Sequence, residues 1–160
     1  MTSTIDPARF RSVLGHFPSG ITTVTGLTAH GPVGFTCQSF SALSLNPSLV
    51  LLLPGRNSTS WPAIAATGRF CVNVLAEDQE GLSAAFARSG TNKFEGVAWR
   101  PSPLGCPVLN GVCAWIDCEI EATHTGGDHL IVVGSVADLG CDSTRNPLLF
   151  HRGRYARTHP

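Results

Sequence analysis

The chain has 160 residues, enough for one domain that buries roughly 68–70% of the surface its unfolded form would expose. Hydrophobic residues make up 42% and charged residues 14%, which excludes a disordered tail and predicts more apolar surface than a monomer carries, hence a homo-oligomer. Eleven Lys and Arg balance eleven Asp and Glu, and the charges are scattered, so no basic patch recommends nucleic acid or an anionic membrane as a partner.

The opening Met1-Thr2-Ser3-Thr4-Ile5-Asp6-Pro7 lacks the basic start and apolar run of a signal peptide, and no stretch approaches ~18 apolar residues. A cytoplasmic protein without a membrane span is expected. Asp6-Pro7 followed by Phe10, Val13, Leu14 and Phe17 supplies a cap, a first-turn proline and helical apolar spacing, predicting a short amphipathic helix. Ile21-Thr22-Thr23-Val24-Thr25 is β-branched, and Ala29-His30-Gly31-Pro32 punctuates it before Val33 to Phe40, which predicts a hairpin. Leu49-Val50-Leu51-Leu52-Leu53, bounded by Pro47 and Pro54-Gly55, predicts a strand buried on both faces.

Asn57-Ser58-Thr59-Ser60 leads into Trp61-Pro62-Ala63-Ile64-Ala65-Ala66 with hydroxyl caps, an early proline and a stop at Gly68, predicting a second short helix. Arg69 to Leu75 alternates as a strand, Glu77 to Ala87 has helical spacing, and the Pro/Gly-rich stretch from Gly96 to Gly111 reads as irregular. Two long strands follow. In the first, Val112, Ala114, Ile116, Cys118, Ile120 and Ala122 face the core while Asp117, Glu119, Glu121 and Thr123 face away. The second runs from about His129 to Leu139, after a turn at Gly126-Gly127, and Leu148-Leu149-Phe150 with Tyr155 closes the chain as a strand or hairpin. About seven strands and three short helices, joined largely by hairpin-length connections, predict a mainly β, antiparallel fold with a few short peripheral helices. Closure into a barrel would protect its edges.

Three constellations bear on chemistry. Thr36-Cys37-Gln38-Ser39-Phe40-Ser41 carries more small polar groups than strand packing needs, although a hydrophilic outer face explains the same residues. Asn57-Ser58-Thr59-Ser60 gathers amide, hydroxyl and helix N–H groups suited to a phosphate, with Arg56 adding charge; capping alone is the competing account. Gly126-Gly127-Asp128-His129 is a turn that admits close backbone approach and then presents one imidazole, against the alternative of a solvated turn histidine. Cys113 and Cys118 with His124 and His129 do not make a zinc site, because the two cysteines fall on opposite faces of one alternating strand; no metal ligands are predicted. Cys37, Cys71, Cys106, Cys113, Cys118 and Cys141 are expected to be reduced, several of them acting as small hydrophobes. Gly-x-Ser-x-Gly, phosphate-loop and Rossmann glycine motifs are absent.

Six segments, in order, resemble the small flavin reductases that serve two-component flavin-dependent monooxygenases. They are Phe10-Arg11-Ser12-Val13-Leu14-Gly15 with Gly20 to Thr25, Gly34 to Pro47, Gly68 to Leu75, Lys93-Phe94, Gly127-Asp128-His129, and Phe150-His151-Arg152-Gly153-Arg154-Tyr155. The resemblance implies a split β-barrel, a homodimer, FAD or FMN as the flavin, NADH or NADPH as hydride donor, and a separate monooxygenase that receives the reduced flavin. It places the flavin along Thr36, Cys37, Gln38, Ser39 and Ser41, with Pro54 in the same set. By the same resemblance Asn57, Ser58, Thr59 and Ser60 are expected to hold flavin phosphate, with Lys93 and Phe94 as candidates for the flavin's far end. Asp128 and His129 stand at the nicotinamide, with Arg152 and Tyr155 contacting the dinucleotide. Hydride transfer needs the two reacting atoms roughly 3–3.5 Å apart and aligned, with no acid or base at the carbon, so His129 is expected to orient rather than to move protons. Two other roles suit the same barrel: a non-catalytic flavin-binding protein, and a pyridoxamine phosphate oxidase-like enzyme. The latter needs a basic substrate-phosphate site that the scattered arginines do not display.

Overall fold

The computed structural model describes residues 4–90 and 92–159. The chain opens with helix α1 (Pro7–Leu14), where the Asp6 carboxylate accepts the N–H groups of Ala8 and Arg9 at 3.3 Å and Pro7 fills a position that needs no donor. Strands β1 (Ser19–Gly20), β2 (Thr22–Thr28), β3 (Gly31–Cys37), β4 (Phe40–Ser44) and β5 (Leu49–Leu52) follow. Then come α2 (Trp61–Thr67), β6 (Arg69–Val74), α3 (Glu80–Ala87), β7 (Trp99–Pro101) and β8 (Pro107–Leu109). The long β9 (Ala114–Gly126) and β10 (His129–Cys141) precede a terminal hairpin of β11 (Leu148–His151) and β12 (Arg154–Arg157).

Seven strands make the main sheet in the order β3-β2-β6-β9-β10-β5-β4, every neighbouring pair antiparallel. β3 and β4 are consecutive in the chain yet form the two outer edges, so the ladder curls without closing and the barrel is split, in agreement with the fold expected from the sequence. One core cluster, with Val24, Val50, Leu52, Trp61, Ile64, Phe70, Val72 and Val132, fills one side of this sheet, and α2 packs into it through Trp61 and Ile64. A second cluster, with Ile21, Cys71, Leu75, Val108, Leu109 and Leu148, lies beneath β8 and the terminal hairpin. No helix among the described residues is long and apolar enough to cross a membrane.

Several expectations need correction. The described residues hold twelve strands, not about seven, because short ladders escape a pattern search. Val33 to Phe40 is two strands, broken at Gln38-Ser39, and α3 starts at Glu80 rather than Glu77. The irregular stretch from Gly96 to Gly111 contains the β7–β8 hairpin, whose three paired positions end on Pro101 and Pro107. β5 is not buried on both faces: Val50 and Leu52 enter the core, whereas Leu51 and, just beyond the strand, Leu53 are half-buried on a cleft. Asp117 is fully buried instead of facing water, since the β7–β8 connection covers that part of β9. Its carboxylate accepts from the Ser102 hydroxyl and the Leu104 N–H at 2.8 Å each, and burial pushes its pKa up. Glu119, Glu121 and Thr123 do face solvent. At α2 the expected hydroxyl cap is Ser58, accepting the Trp61 N–H at 3.1 Å, and Gly68 closes the helix as expected, at φ +78°.

All six cysteines are unpaired, and Cys37, Cys71, Cys106 and Cys118 are buried. Burial pushes the Cys106 thiol up to about 11 and the Cys118 thiol up to about 12, so neither is a thiolate at neutral pH.

Candidate active site

A cleft of about 910 Å³ opens where α1, β1, the β3–β4 crossing, the outer face of β5 and the β11–β12 turn meet. Its walls are chiefly apolar: Phe10, Leu14, Phe17, Ile21, Phe40, Leu51, Leu53 and Phe150. The polar exceptions are Thr22, Gln38, Ser39, Ser41, Ser19 and two arginines, Arg11 and Arg152. Gln38-Ser39 stands at the point where the chain leaves one sheet edge for the other, which frees its backbone from the main ladder. Ser39 is nevertheless fixed: its hydroxyl donates to the Leu53 carbonyl at 2.9 Å while the Leu53 N–H donates to the Ser39 carbonyl at 3.0 Å. Cys37, beneath this crossing, is 5% exposed and desolvation raises its thiol pKa, so it is a packing residue and not a nucleophile.

The strip continues from Leu53 to the tip of the β9–β10 hairpin. The Leu130 N–H donates to the Pro54 carbonyl at 2.9 Å, Gly55 bridges His129, and the Arg56 N–H donates to the Asp128 carbonyl at 2.9 Å. The Arg56 side chain adds a bond to the Gly127 carbonyl at 3.3 Å. Gly127, at φ +64°, takes the first position of the two-residue turn, where a side chain would be strained. His129 is about half exposed, and its Nδ1 lies 2.7 Å from Oδ1 of the almost fully exposed Asp128. That hydrogen bond, with the accompanying charge, holds the Asp128 carboxyl below its ordinary range, and Nε2 has no hydrogen-bond partner among the described residues. Gly55 keeps a gap open here: a Cβ on it would stand 2.9 Å from Asn57 Oδ1 and 3.9 Å from His129 Nε2.

The structure therefore gathers Gln38, Ser39, Ser41 and Arg152 on the cleft, and Pro54, Asp128 and His129 on the adjoining strip, with Asn57 beside Gly55. Thr59 is exposed in the same loop. Other expected contacts are engaged within the protein. Thr36 Oγ1 donates to the Ser83 carbonyl at 2.6 Å, away from the cleft. The Lys93 ammonium donates to the Gly34 carbonyl, the Ser60 hydroxyl and the Phe86 carbonyl at 3.1–3.3 Å, binding β3, the α2 cap and the end of α3 together. Phe94 packs edge-on against Phe86 at 5.0 Å, and Tyr155 packs on Phe150 at 5.4 Å with its hydroxyl 3.0 Å from Ser83 Oγ. Sequence reading overlooks Leu53, Gly55 and the cleft-facing role of Arg11. Arg11 follows Phe10 and precedes Leu14 by three, a spacing that sets it on the flank of the apolar face.

The cleft suits a flavin in the chemistry of its lining: a broad apolar wall for a planar ring, and at one edge the exposed Gln38 beside Ser39 and Ser41 for polar recognition.

The model of the flavin reductase like domain family matches residues 14–159. The chain is 51% identical over 162 residues to HsaB, the reductase subunit of a flavin-dependent monooxygenase from Mycobacterium tuberculosis, covering 100% of this chain and 87% of that protein. It is 47% identical to a flavin reductase of Pseudomonas putida, covering 96% of this chain and 91% of the other. Among solved structures, a nitrilotriacetate monooxygenase component B from Mycobacterium thermoresistibile superposes with a TM-score of 0.93 at 50% identity, over 96% of this chain and 87% of that one. An NADH:FAD oxidoreductase of Streptomyces globisporus, solved with NAD and FAD fragments, gives a TM-score of 0.91 at 34% identity, over 99% and 98% of the two chains.

Proposed function

Since the chain belongs to the flavin reductase-like family, we propose that it is an NADH-dependent flavin reductase that reduces FAD or FMN and delivers the reduced flavin to a separate monooxygenase. The observation that carries this reading is the cleft itself, an apolar slot of flavin size whose polar edge runs without a break into the strip bearing His129. The reductase names of the relatives support the same activity.

A bound flavin supplies an electrophilic ring position that accepts hydride. The chain's own work is placement. Phe40, Leu51 and Leu53 exclude water from the ring's buried face, and the Gln38–Ser41 backbone and side chains read its polar edge. Asn57, Ser58 and Thr59 face the phosphate end. Lys93, Ser60 and Phe94 support that end from behind, while Thr36 and Tyr155 brace α3 through Ser83. His129 stacks and orients the nicotinamide, with Asp128 holding its Nδ1 and thereby its tautomer. Arg152 meets the dinucleotide's phosphates.

A homodimer belongs to this reading. No residue of α1 is buried within one chain, and Phe10, Val13, Leu14 and Phe17 are 53–83% exposed; a second copy packed on α1 would cover this apolar surface and complete the wall of the cleft that Phe10, Leu14 and Phe17 line. Six unpaired cysteines fit a reducing compartment, so we place the enzyme in the cytoplasm. Anaerobic stopped-flow mixing tests the activity: NADH should bleach the absorbance of added FAD or FMN at a rate that depends on the protein. No protein-dependent bleaching with either flavin means that the chain binds flavin without reducing it.

A further inference from the structure

The charge in the cleft adds to Arg152 a second arginine, Arg11, that the reductase reading does not assign. Among the described residues twenty line it, the only charged side chains being Arg11 and Arg152, with no Asp or Glu. Neither guanidinium makes a salt bridge or donates a hydrogen bond to a protein group among the described residues. Arg145 differs, facing Asp78 and Asp142 at 3.6 and 3.4 Å, as does Arg69, which donates to the Leu104 carbonyl, and Arg100, which lies over Trp115. Other arginines are also unpaired on the surface, but these two share one concave, largely apolar wall. An uncompensated cation pair there raises the local affinity for anions and repels cations.

The two are also held in register. Arg152 occupies the left-handed region at φ +53°, followed by Gly153 at φ +77°, so the β11–β12 turn has the two positive-φ positions of a type I′ hairpin. From this turn the Arg152 N–H donates to the Gly15 carbonyl at 2.9 Å, and the Gly15 N–H donates to the Arg11 carbonyl at 2.9 Å. A Cβ on Gly15 would lie 3.6 Å from Arg152 Cα, so the end of α1 and the turn are in close contact. The pair is thus carried on one hydrogen-bonded rim, with Arg11 supplied by a helix that buries no residue of its own.

We infer that Arg11 and Arg152 together form a pyrophosphate subsite, so that the cleft selects dinucleotides over mononucleotides. Guanidinium groups match the paired oxygens of neighbouring phosphates, and two of them suit a diphosphate better than a single phosphate. The inference rests on the reductase reading for the identity of the dinucleotide, which is either NADH or FAD, and the two are separable by experiment.

The test measures two selectivities in the full-length protein and in Arg11→Gln: kcat/KM for NADH over reduced nicotinamide mononucleotide, and Kd for FMN over FAD. One of these ratios should fall about tenfold, the scale of one lost charge-assisted hydrogen-bonding pair, and the ratio that falls names the dinucleotide. Arg11→Lys, which keeps the charge without the fork, should recover part of the loss. If both ratios stay within twofold of the parent, the subsite is wrong. Because Arg11 is exposed on a helix without buried residues, its replacement leaves folding intact. Titration calorimetry with adenosine diphosphate, which carries the diphosphate without nicotinamide or flavin, gives a readout independent of catalysis. It should bind the parent and bind Arg11→Gln about tenfold more weakly, even if the protein proves not to reduce flavin. Equal affinities for adenosine diphosphate overturn the inference.

Discussion

Replacing His129 with alanine isolates the positioning role assigned to that ring. The folded frame should survive, because none of the bonds that hold this tip uses the imidazole: Leu130 N–H to Pro54 O, Arg56 N–H to Asp128 O, the Arg56 side chain to Gly127 O, and the Gly55–His129 bridge. What is lost is a half-exposed imidazole whose one partner among the described residues is the Asp128 carboxylate at 2.7 Å. A ring stacked on nicotinamide is worth about 1 kcal/mol, so the apparent affinity for NADH should drop roughly fivefold. Flavin affinity should hardly change, since the cleft walls lie outside the altered side chain. Anaerobic stopped-flow, with NADH varied at saturating flavin, separates half-saturation from limiting rate. Asp128→Asn removes the anion that fixes Nδ1 and should produce a smaller effect of the same kind. The His129 bond holds the Asp128 carboxyl low, so the paired arrangement is present above the ordinary carboxylate range and is lost as pH falls through the lowered value. Unchanged NADH saturation and unchanged limiting rate in His129→Ala would refute the placement. A limiting rate reduced by orders of magnitude with a steep pH dependence would instead make the ring a proton carrier.

Four further outcomes are expected. Ser39→Ala removes the bond to the Leu53 carbonyl and should cost about 1 kcal/mol in denaturant melts while raising the flavin Kd, read by fluorescence titration. Asp117→Asn forces an amide against the Ser102 hydroxyl and the Leu104 N–H, with a loss of about 1–3 kcal/mol. Because the folded-state pKa of Asp117 is raised, the stability it contributes is present below the ordinary aspartate range and is lost as pH rises through the raised value. The parent's advantage over the variant should therefore narrow with rising pH in melts run across that range. Gly134→Ala would set a Cβ 2.7 Å from Cζ of the fully buried Phe70 and 3.2 Å from Cys118 Cβ, an overpacking that should lower stability by about 1–3 kcal/mol. Serines at Phe10, Leu14 and Phe17 should convert a dimer to a monomer in light scattering; a parent that is itself monomeric would sink the dimer proposal.

Local signals that depend on one element alone are legible in the amino-acid sequence. The Asp6-Pro7 start of α1, the Gly68 stop of α2 and the turn between β9 and β10 each follow from backbone chemistry within a few residues. Expectations that depend on what lies on the far side of an element fail. Asp117 alternates outward as its position demands, but the side it faces is covered by a connection that comes from fifteen residues earlier in the chain. The leucine run of β5 has the pattern of a strand buried throughout, yet its second face is the wall of the cleft, a hollow formed only once α1 and the terminal hairpin come together. Apolar residues fit either a packed core or a ligand wall, and nothing in the spacing distinguishes the two.

The same limit divides the candidate site. His129 and Asp128 stand out in the sequence because glycine, acid and imidazole are adjacent, and adjacency survives folding. Lys93 carries the same kind of signal, a lone lysine in a chain otherwise supplied with arginine, but its ammonium is enclosed by three protein acceptors. Desolvation there lowers its pKa, and a phosphate would have to compete with bonds already made. Arg11 shows the converse. In the sequence it is a charge near a helix end, where any cation is favoured by the dipole, and that sufficient local account hides it. Only the fold shows that the helix buries no residue, that the terminal turn brings Arg152 onto the same rim, and that no carboxylate among the described residues lines the cleft they share. A charge is therefore informative about ligands when the fold leaves it uncompensated, which is a property of the whole chain and not of any segment.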